Sequence, residues 1–149
     1  MKTKRSSLTD IRINTWAKLL RVSQYLFANI EADLKSARLP PLSWYDVLLE
    51  LKRVDPKGLR PFQLQENLLI AQYNLSRLID KLVTAGYVRR EICKQDGRGH
   101  SLKITESGLD LQKQMSPIYL QAIGDHFSVK LEDSEMQSLD DILIKLQNH

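Results

Sequence analysis

The 149-residue chain has few of the residues that build covalent or metal-dependent sites. It contains one cysteine and three histidines, so it can form no internal disulfide and offers few ligands for zinc. It also has no apolar run of the roughly 18 residues that a membrane-spanning helix needs, and its basic N-terminus lacks the apolar stretch of a secretory signal. These absences predict a cytoplasmic protein with no membrane contact, no metal and no other cofactor.

Catalytic motifs are missing too. The sequence has no glycine-rich phosphate loop, no cluster of metal ligands and no Ser/His/Asp or Cys/His grouping, so an enzyme hypothesis has no candidate residues. His100 and His126 fall in separate predicted elements, which argues against a metal pair. Cys93 lies near Arg90 and Lys94, which could activate it as a redox sensor. A lone cysteine is more commonly a small packed hydrophobe, and both interpretations of Cys93 stay open.

Charge is distributed unevenly along a chain whose formal net charge is +4. Residues 107–149 carry three basic and seven acidic side chains, whereas residues 72–103 carry seven basic and three acidic ones. The composition, 42% hydrophobic and 27% charged, is that of an ordinary folded chain long enough for one domain. The basic central segment therefore indicates an anionic partner for a folded protein.

Apolar periodicity predicts a long first helix over about residues 8–37, which the prolines at 40 and 41 end. Its apolar arc is wider than a small domain usually covers, which predicts a partner helix from a second subunit. In the next helix we expect Ser43 as N-cap, Asp46 as the carboxylate of a capping box, and Leu42 with Val47 as a hydrophobic staple. The "DPKG" segment at 55–58 ends this helix.

The central segment predicts a helix-turn-helix followed by a hairpin. A short helix over 61–68 begins with proline, and a second runs from residue 71 or 72 to 85, where Gly86 ends it in a left-handed conformation. Two short alternating strands, "YVRREICK" and "SLKIT", then flank the turn "QDGRGH". A helix capped by Thr105 or Ser107 continues past Pro117, and a last one covers about 132–146. The order predicts a mainly α fold with a small β-hairpin wing, a winged helix-turn-helix.

The polar segment "QYNLSR" at 72–77 opens the second helix of this pair. In helix-turn-helix modules, the first residues of that helix face base edges in the major groove. Leu75 points inward by its period, and asparagine, glutamine, serine and arginine suit base edges or phosphates. A polar helix face is usually just solvated, but this one lies between a short helix and a basic hairpin. The candidate DNA-binding residues are therefore Gln72, Tyr73, Asn74, Ser76, Arg77 and Lys81.

Three segments, "LSWYDVLLEL", "LRPFQLQENLLIAQYNLSRLIDKLVTAGYVRR" and "CKQDGRGHSLKITESG", resemble the MarR family of bacterial transcription regulators. The resemblance implies a homodimer, usually a repressor, that binds double-stranded DNA at a pseudo-palindromic operator. In many members a small anionic or aromatic effector releases the DNA. Arg98 matches the wing arginine that enters a minor groove, and Asp96 matches the aspartate that orients a neighbouring arginine. The candidate wing residues are Lys94, Asp96, Gly97, Arg98 and Gly99.

The chain departs from the family pattern at Arg60, where a Ser or Thr cap is usual, at Leu69, a frequent turn glycine, and at Ala71, a frequent Ser cap. These departures concern the geometry of the turn and not the module itself.

We expect one MarR-like domain over residues 1–149, with a winged helix-turn-helix DNA-binding part at 42–106 and dimerisation helices at 8–37 and 107–149. Trp16, Trp44 and Tyr45 are candidates for an effector pocket, although aromatic residues at helical spacing are usually core. The alternative function is a winged-helix module that contacts protein without binding DNA. The polar and basic character of residues 72–77 argues against that alternative.

Overall fold

The computed structural model describes residues 4–69, 74–93 and 99–148, and the side chains from residue 8 onward within these ranges. It has the mainly α architecture with one β-hairpin that the sequence predicts. No helix in these ranges is both long and apolar enough to cross a bilayer. The elements are α1 (Lys4–Ser36), α2 (Leu42–Val54), α3 (Pro61–Asn67), α4 (Leu75–Thr84), β1 (Val88–Ile92), β2 (His100–Ile104), α5 (Glu106–His126), a 3-10 turn (Ser128–Lys130) and α6 (Asp133–Gln147).

The chain forms two compact units. We call Leu34–Leu120 the central unit, and Met1–Asp33 together with Gln121–His149 the terminal unit. The central unit includes the last residues of α1 and the first two-thirds of α5, so its bounds are wider than the predicted DNA-binding part at 42–106. The functional division of the chain into DNA-binding and dimerisation parts stays a prediction.

The central unit has a closed apolar core. Helix α2 is amphipathic, with apolar residues at helical spacing on its inner face. Side chains from α1, α2, α3, α4, the hairpin and α5 are removed from solvent together, and each fully buried leucine stabilises the fold by about 1.5–3 kcal/mol. The largest fully buried apolar side chains are Leu34, Val47, Leu48, Leu51, Leu64, Leu82, Val88, Leu102 and Met115.

The hairpin is antiparallel, with Val88 opposite Ile104 and Ile92 opposite His100. Leu59, just before α3, adds a rung that the sequence analysis missed. Its N–H donates to the Leu102 carbonyl at 2.9 Å, and the Leu102 N–H donates back at 2.7 Å. The wing is therefore joined to the segment between α2 and α3 as well as to α4.

The predicted start of α2 is wrong by two residues. The helix begins at Leu42 after Pro41, whose carbonyl accepts the Trp44 N–H at 3.0 Å, and no side chain caps it. Ser43 lies inside the helix, so the expected capping box with Asp46 does not form. Proline at 41 explains the difference, because its fixed φ allows the chain to enter the helix directly after it. The Asp46 carboxylate instead accepts a hydrogen bond from a distant part of the chain.

Helix α4 begins later than residue 71 or 72. Asn74 is its N-cap, and the Asn74 Oδ1 accepts the Arg77 N–H at 3.2 Å. At the other end, Gly86 has φ of +85°, which confirms the predicted left-handed termination.

The cap of α5 is Thr105, one of the two predicted residues. Its hydroxyl donates to the Gly86 carbonyl at 2.6 Å and accepts the Gly108 N–H at 3.0 Å. The start of α5 is thereby tied to the end of α4. Helix α5 then runs on through Pro117, as predicted.

Candidate nucleic-acid interface

Helix α4 presents a polar and charged face to solvent. Its inward positions are the buried Leu75, Leu78, Ile79 and Leu82, so the remaining positions of the first two turns point outward. Three of the predicted DNA-binding residues lie on this exposed face, namely Ser76, Arg77 and Lys81. The others, Gln72 and Tyr73, fall outside the described residues, and Asn74 stands at the cap.

Asn74 has a structural role that the sequence analysis did not assign. Its side-chain oxygen satisfies the Arg77 N–H, one of the donors that a helix start leaves unpaired. The amide nitrogen of the same side chain is a donor that this hydrogen bond does not use. The N-terminus of α4 also carries the positive end of the helix dipole, which favours an approaching phosphate.

Ion pairs inside the central unit neutralise much of the predicted basic patch. Arg90 on β1 forms an ion pair with Asp80 on α4 and so joins the hairpin to that helix. The Glu91 carboxylate forms ion pairs with the Arg89 guanidinium at 3.1 Å and with the Lys103 ammonium at 2.8 Å. Within the described part of residues 72–103, Arg77 and Lys81 are the exposed basic side chains without such an ion pair. The cations of the hairpin are therefore partly occupied by Asp80 and Glu91, whereas the cations of α4 are fully available to a DNA backbone.

The wing is described at its two strands and at one residue of its turn. Lys94, Asp96, Gly97 and Arg98 lie outside the described residues, so their roles stay predictions. Gly99 has φ of +76°, a conformation that glycine adopts without a steric penalty. Its carbonyl accepts the Cys93 N–H at 3.4 Å, which closes the hairpin just below the turn.

Two hollows lie on opposite sides of α4. One, of about 620 Å³, is bounded by α3, α4 and the hairpin, and its lining includes Arg60, Phe62, Ile79, Arg90 and His100. The other, of about 390 Å³, is a shallow cleft lined by Trp44, Arg77, Asp80, Lys81, Thr84 and Ala85. The exposed face of α4 is therefore accessible from both flanks.

The three candidate effector-pocket residues have different surroundings. The Trp44 ring meets the edge of the Tyr87 ring at a centroid distance of 5.9 Å. Tyr45 is only 4% exposed, and its ring lies 4.8 Å from the Tyr119 ring. Trp16 is 62% exposed and belongs to the terminal unit. Trp44 and Tyr45 thus have partners within the central unit, and a pocket shared with Trp16 stays a prediction.

Asp46 is the polar residue that the sequence analysis misassigned. It is 2% exposed on the buried face of α2, and its Oδ2 accepts the Leu69 N–H at 2.8 Å. Burial raises the pKa of the Asp46 carboxyl to about 6, against the opposing effect of this hydrogen bond. A carboxylate among the apolar positions Val47, Leu48 and Leu51 of one helix was the sequence signal that could have identified it.

The described residues contain no group of three His, Cys, Asp or Glu side chains that could hold a metal ion. His100 belongs to the central unit, whereas His126 lies in the terminal unit with its Nε2 2.8 Å from the Asp33 Oδ2. Cys93 is a free, partly exposed thiol at the end of β1.

Comparison with known proteins agrees with this architecture. A model of the MarR family matches residues 39–99. An HTH-type transcriptional regulator from Bacillus cereus is 26% identical over 143 residues, which cover 93% of this chain and 94% of that protein. The crystal structure of AbsC, a MarR family transcriptional regulator from Streptomyces coelicolor, superposes with a TM-score of 0.80 at 25% identity, covering 98% of this chain and 94% of AbsC.

A second MarR family transcriptional regulator from Streptomyces coelicolor, solved in complex with DNA, has the same fold. It superposes with a TM-score of 0.81 at 23% identity, over 98% of this chain and 88% of that one. These relatives are regulators, which does not favour the alternative of a winged helix that contacts only protein. Residues 39–99 therefore match the MarR family, and the chain is a DNA-binding transcriptional regulator.

Proposed function

We propose that this regulator acts as a homodimeric repressor that binds a pseudo-palindromic operator through α4 and the wing. The observation that carries the proposal is the exposed face of α4, where Ser76, Arg77 and Lys81 are accessible beside the hairpin. Serine suits base edges and phosphates, and the two unpaired cations suit phosphates. Gln72, Tyr73 and Asn74 would contact DNA at the start of this helix, and Arg98 would enter the adjacent minor groove.

The apolar surface of the terminal unit supports a dimer. Ile142 and Leu146 on α6 are 54% and 66% exposed, and none of the described residues of that helix is buried. A single soluble chain rarely leaves so much apolar surface exposed to water, so we expect a second copy to bury this surface in a dimer interface. Further large apolar side chains are exposed along α1, namely Leu8, Ile11, Ile13, Trp16, Leu19, Leu20, Val22 and Tyr25.

A two-fold dimer explains the form of the operator. Two copies of α4 would meet successive major grooves on one face of the duplex, about 34 Å apart, if their spacing matches one helical turn of DNA. The two half-sites would then be inverted copies of one another. Repression follows if such a dimer occupies a promoter, and DNA as the partner also supports the expected cytoplasmic location.

We also propose that a small anionic aromatic effector binds in the cleft beside α4. The cleft beside α4 combines the Trp44 ring with the cations Arg77 and Lys81, which suits a small aromatic carboxylate. A compound bound there would cover the two cations that we assign to DNA. Titration with benzoate, followed by tryptophan fluorescence of wild type and of Trp44→Phe, tests this part. A quench that disappears in Trp44→Phe is expected, and an equal quench in both would move the site elsewhere.

Selection of bound duplexes from a random library tests the main proposal. We expect enrichment of one inverted repeat, with half-site centres about 10 base pairs apart. The matched control is the double variant Arg77→Ala and Lys81→Ala, which should enrich far less from the same library. Recovery of random duplexes by the wild-type protein would contradict sequence-specific binding.

A further inference from the structure

We propose that Asp46 is a positioning residue for DNA recognition, because its carboxylate accepts the main-chain N–H of Leu69 and so holds the backbone that leads out of α3 towards α4. The inference rests on the proposed function of α4. It concerns a residue on α2 that belongs to the core and not to the exposed face of α4.

The geometry places Asp46 on the helix that packs against the helix-turn-helix. Helix α2 packs against both α3 and α4. Leu69 lies two residues after the end of α3, and its own side chain is exposed, so side-chain burial does not hold it in place. The Asp46 hydrogen bond of 2.8 Å is what joins its backbone to the core. Asn74, the cap of α4, fixes the other end of the same turn.

The surroundings of Asp46 disfavour its charged form. Burial disfavours its charge, Glu50 one turn later on α2 raises its pKa further, and Arg53 lowers it. Burial raises the pKa of the nearby Tyr119, and Tyr45 and Asp46 raise it further. Among the described residues, the N–H of Leu69 is the contact that favours the carboxylate by hydrogen bonding. The fold thus keeps the Asp46 carboxylate in a place that disfavours its charge, and there the carboxylate binds the backbone of Leu69.

An anchored turn matters because base contacts depend on sub-ångström placement. Binding sites function when their side chains are held within about 0.5 Å of the productive geometry. If Leu69 is released, the N-terminal end of α4 with Ser76 and Arg77 is held less firmly. Contacts to base edges then weaken, whereas contacts to phosphates tolerate the movement. Sequence preference should therefore fall before general DNA affinity does.

The test compares Asp46→Leu and Asp46→Asn with wild type, by fluorescence anisotropy on the duplex selected above and on a scrambled duplex. Asp46→Leu removes the acceptor, and we expect selected-duplex affinity to fall at least tenfold, with scrambled-duplex affinity within about twofold of wild type. Asp46→Asn keeps an uncharged acceptor and should show a smaller loss. Neither variant should melt at a lower temperature than wild type at pH 8. Equal losses on both duplexes, or a parallel loss of melting temperature, would show a merely structural role.

The pH profile gives a second readout. Protonation of Asp46 weakens a charge-assisted hydrogen bond, so wild type should lose selected-duplex affinity by several-fold, relative to Asp46→Asn, between pH 7.5 and 5.5. The ratio of the two affinities cancels the contribution of every group that the two proteins share. Glu50→Gln is the matched control on the same helix. It should still lose selected-duplex affinity on acidification, with the midpoint of that loss at a lower pH, because Glu50 raises the pKa of Asp46. Superimposable profiles for wild type and Asp46→Asn would overturn the proposal.

The two proposals fail in different ways. If the wild-type protein selects no duplex, the proposed function fails. If it selects an operator and Asp46→Leu binds that operator as well as wild type, only the role of Asp46 fails.

Discussion

The central and terminal units use apolar residues in opposite ways. In the central unit they form a core that one chain closes, with Leu48, Leu64 and Leu82 fully buried. In the terminal unit, α6 has no buried residue among those described, and large apolar side chains of α1 are exposed. One chain therefore closes the core of the central unit, whereas the exposed apolar surface of the terminal unit is the part that we propose a second copy covers.

The largest expected effect comes from placing a charge on the terminal unit. Ile142→Asp would bury an unpaired carboxylate in the proposed dimer interface, which strongly opposes association. We expect a monomer at micromolar concentration by light scattering. Operator affinity should fall by about 10²–10⁴-fold, because the two half-sites are then bound independently. Gln137→Glu, which adds a charge at an exposed position on the other side of the same helix, is the control. A dimeric Ile142→Asp protein with normal affinity would remove α6 from the interface.

A leucine-to-alanine change in each unit sharpens the comparison. Leu48→Ala leaves a cavity in the closed core and should lower the free energy of unfolding by about 2–5 kcal/mol. Leu20→Ala on α1 should act through association, so its effect on melting temperature should shrink as protein concentration rises. Thermal unfolding at several protein concentrations distinguishes the two. Equal concentration dependence for both variants would mean that the units do not differ in this way.

The buried carboxylate gives the central unit a pH-dependent stability. The pKa of Asp46 rises from 3.8 to about 6 on folding, so the folded state binds the proton more tightly than the unfolded state. Its stabilising contribution is complete below about pH 4 and is lost as pH rises through about 6. By pH 8, Asp46→Asn should gain up to about 3 kcal/mol relative to wild type. Denaturant titrations at pH 4 and pH 8 measure the free energy of unfolding of both proteins. If the gap between wild type and Asp46→Asn is the same at both pH values, the pKa of the Asp46 carboxyl is not raised by folding.

The smallest effect is expected from single cations on the exposed face of α4. Arg77→Ala should remove one phosphate contact and reduce the slope of log affinity against log salt by about 0.9. Arg89→Ala is the matched control, because that guanidinium is already paired with Glu91. A salt titration of operator binding checks both variants. If Arg89→Ala changes the slope as much as Arg77→Ala, the ion pairs of the hairpin do not decide which cations meet DNA.

Local signals predicted the order of elements correctly. Helical periodicity, Gly86 and Thr105 act through neighbours in the chain, and the structure confirms all three. The sequence also indicated the exposed face of α4 and the unpaired apolar arc of α1, since both follow from the 3.6-residue repeat.

Long-range contacts explain what the sequence analysis missed. Asp46 pairs with a backbone N–H 23 residues away, so its spacing to Ser43 suggested a cap that does not exist. The rung between Leu59 and Leu102 involves a single residue, which leaves no alternating pattern to detect. The ion pairs of Arg89, Arg90 and Lys103 likewise depend on the strand register and on the position of the hairpin beside α4. Charge counts along a sequence do not contain that information.

The stoichiometry of the DNA complex tests the central claim most directly. Sedimentation equilibrium of the protein with the selected duplex, and with a duplex carrying one half-site and a scrambled second half, measures chains bound per duplex. We predict two chains on the full operator, with tight binding that is weakened sharply when one half-site is scrambled. One chain per duplex, or equal affinity for both duplexes, would contradict a dimer in which two central units read DNA together.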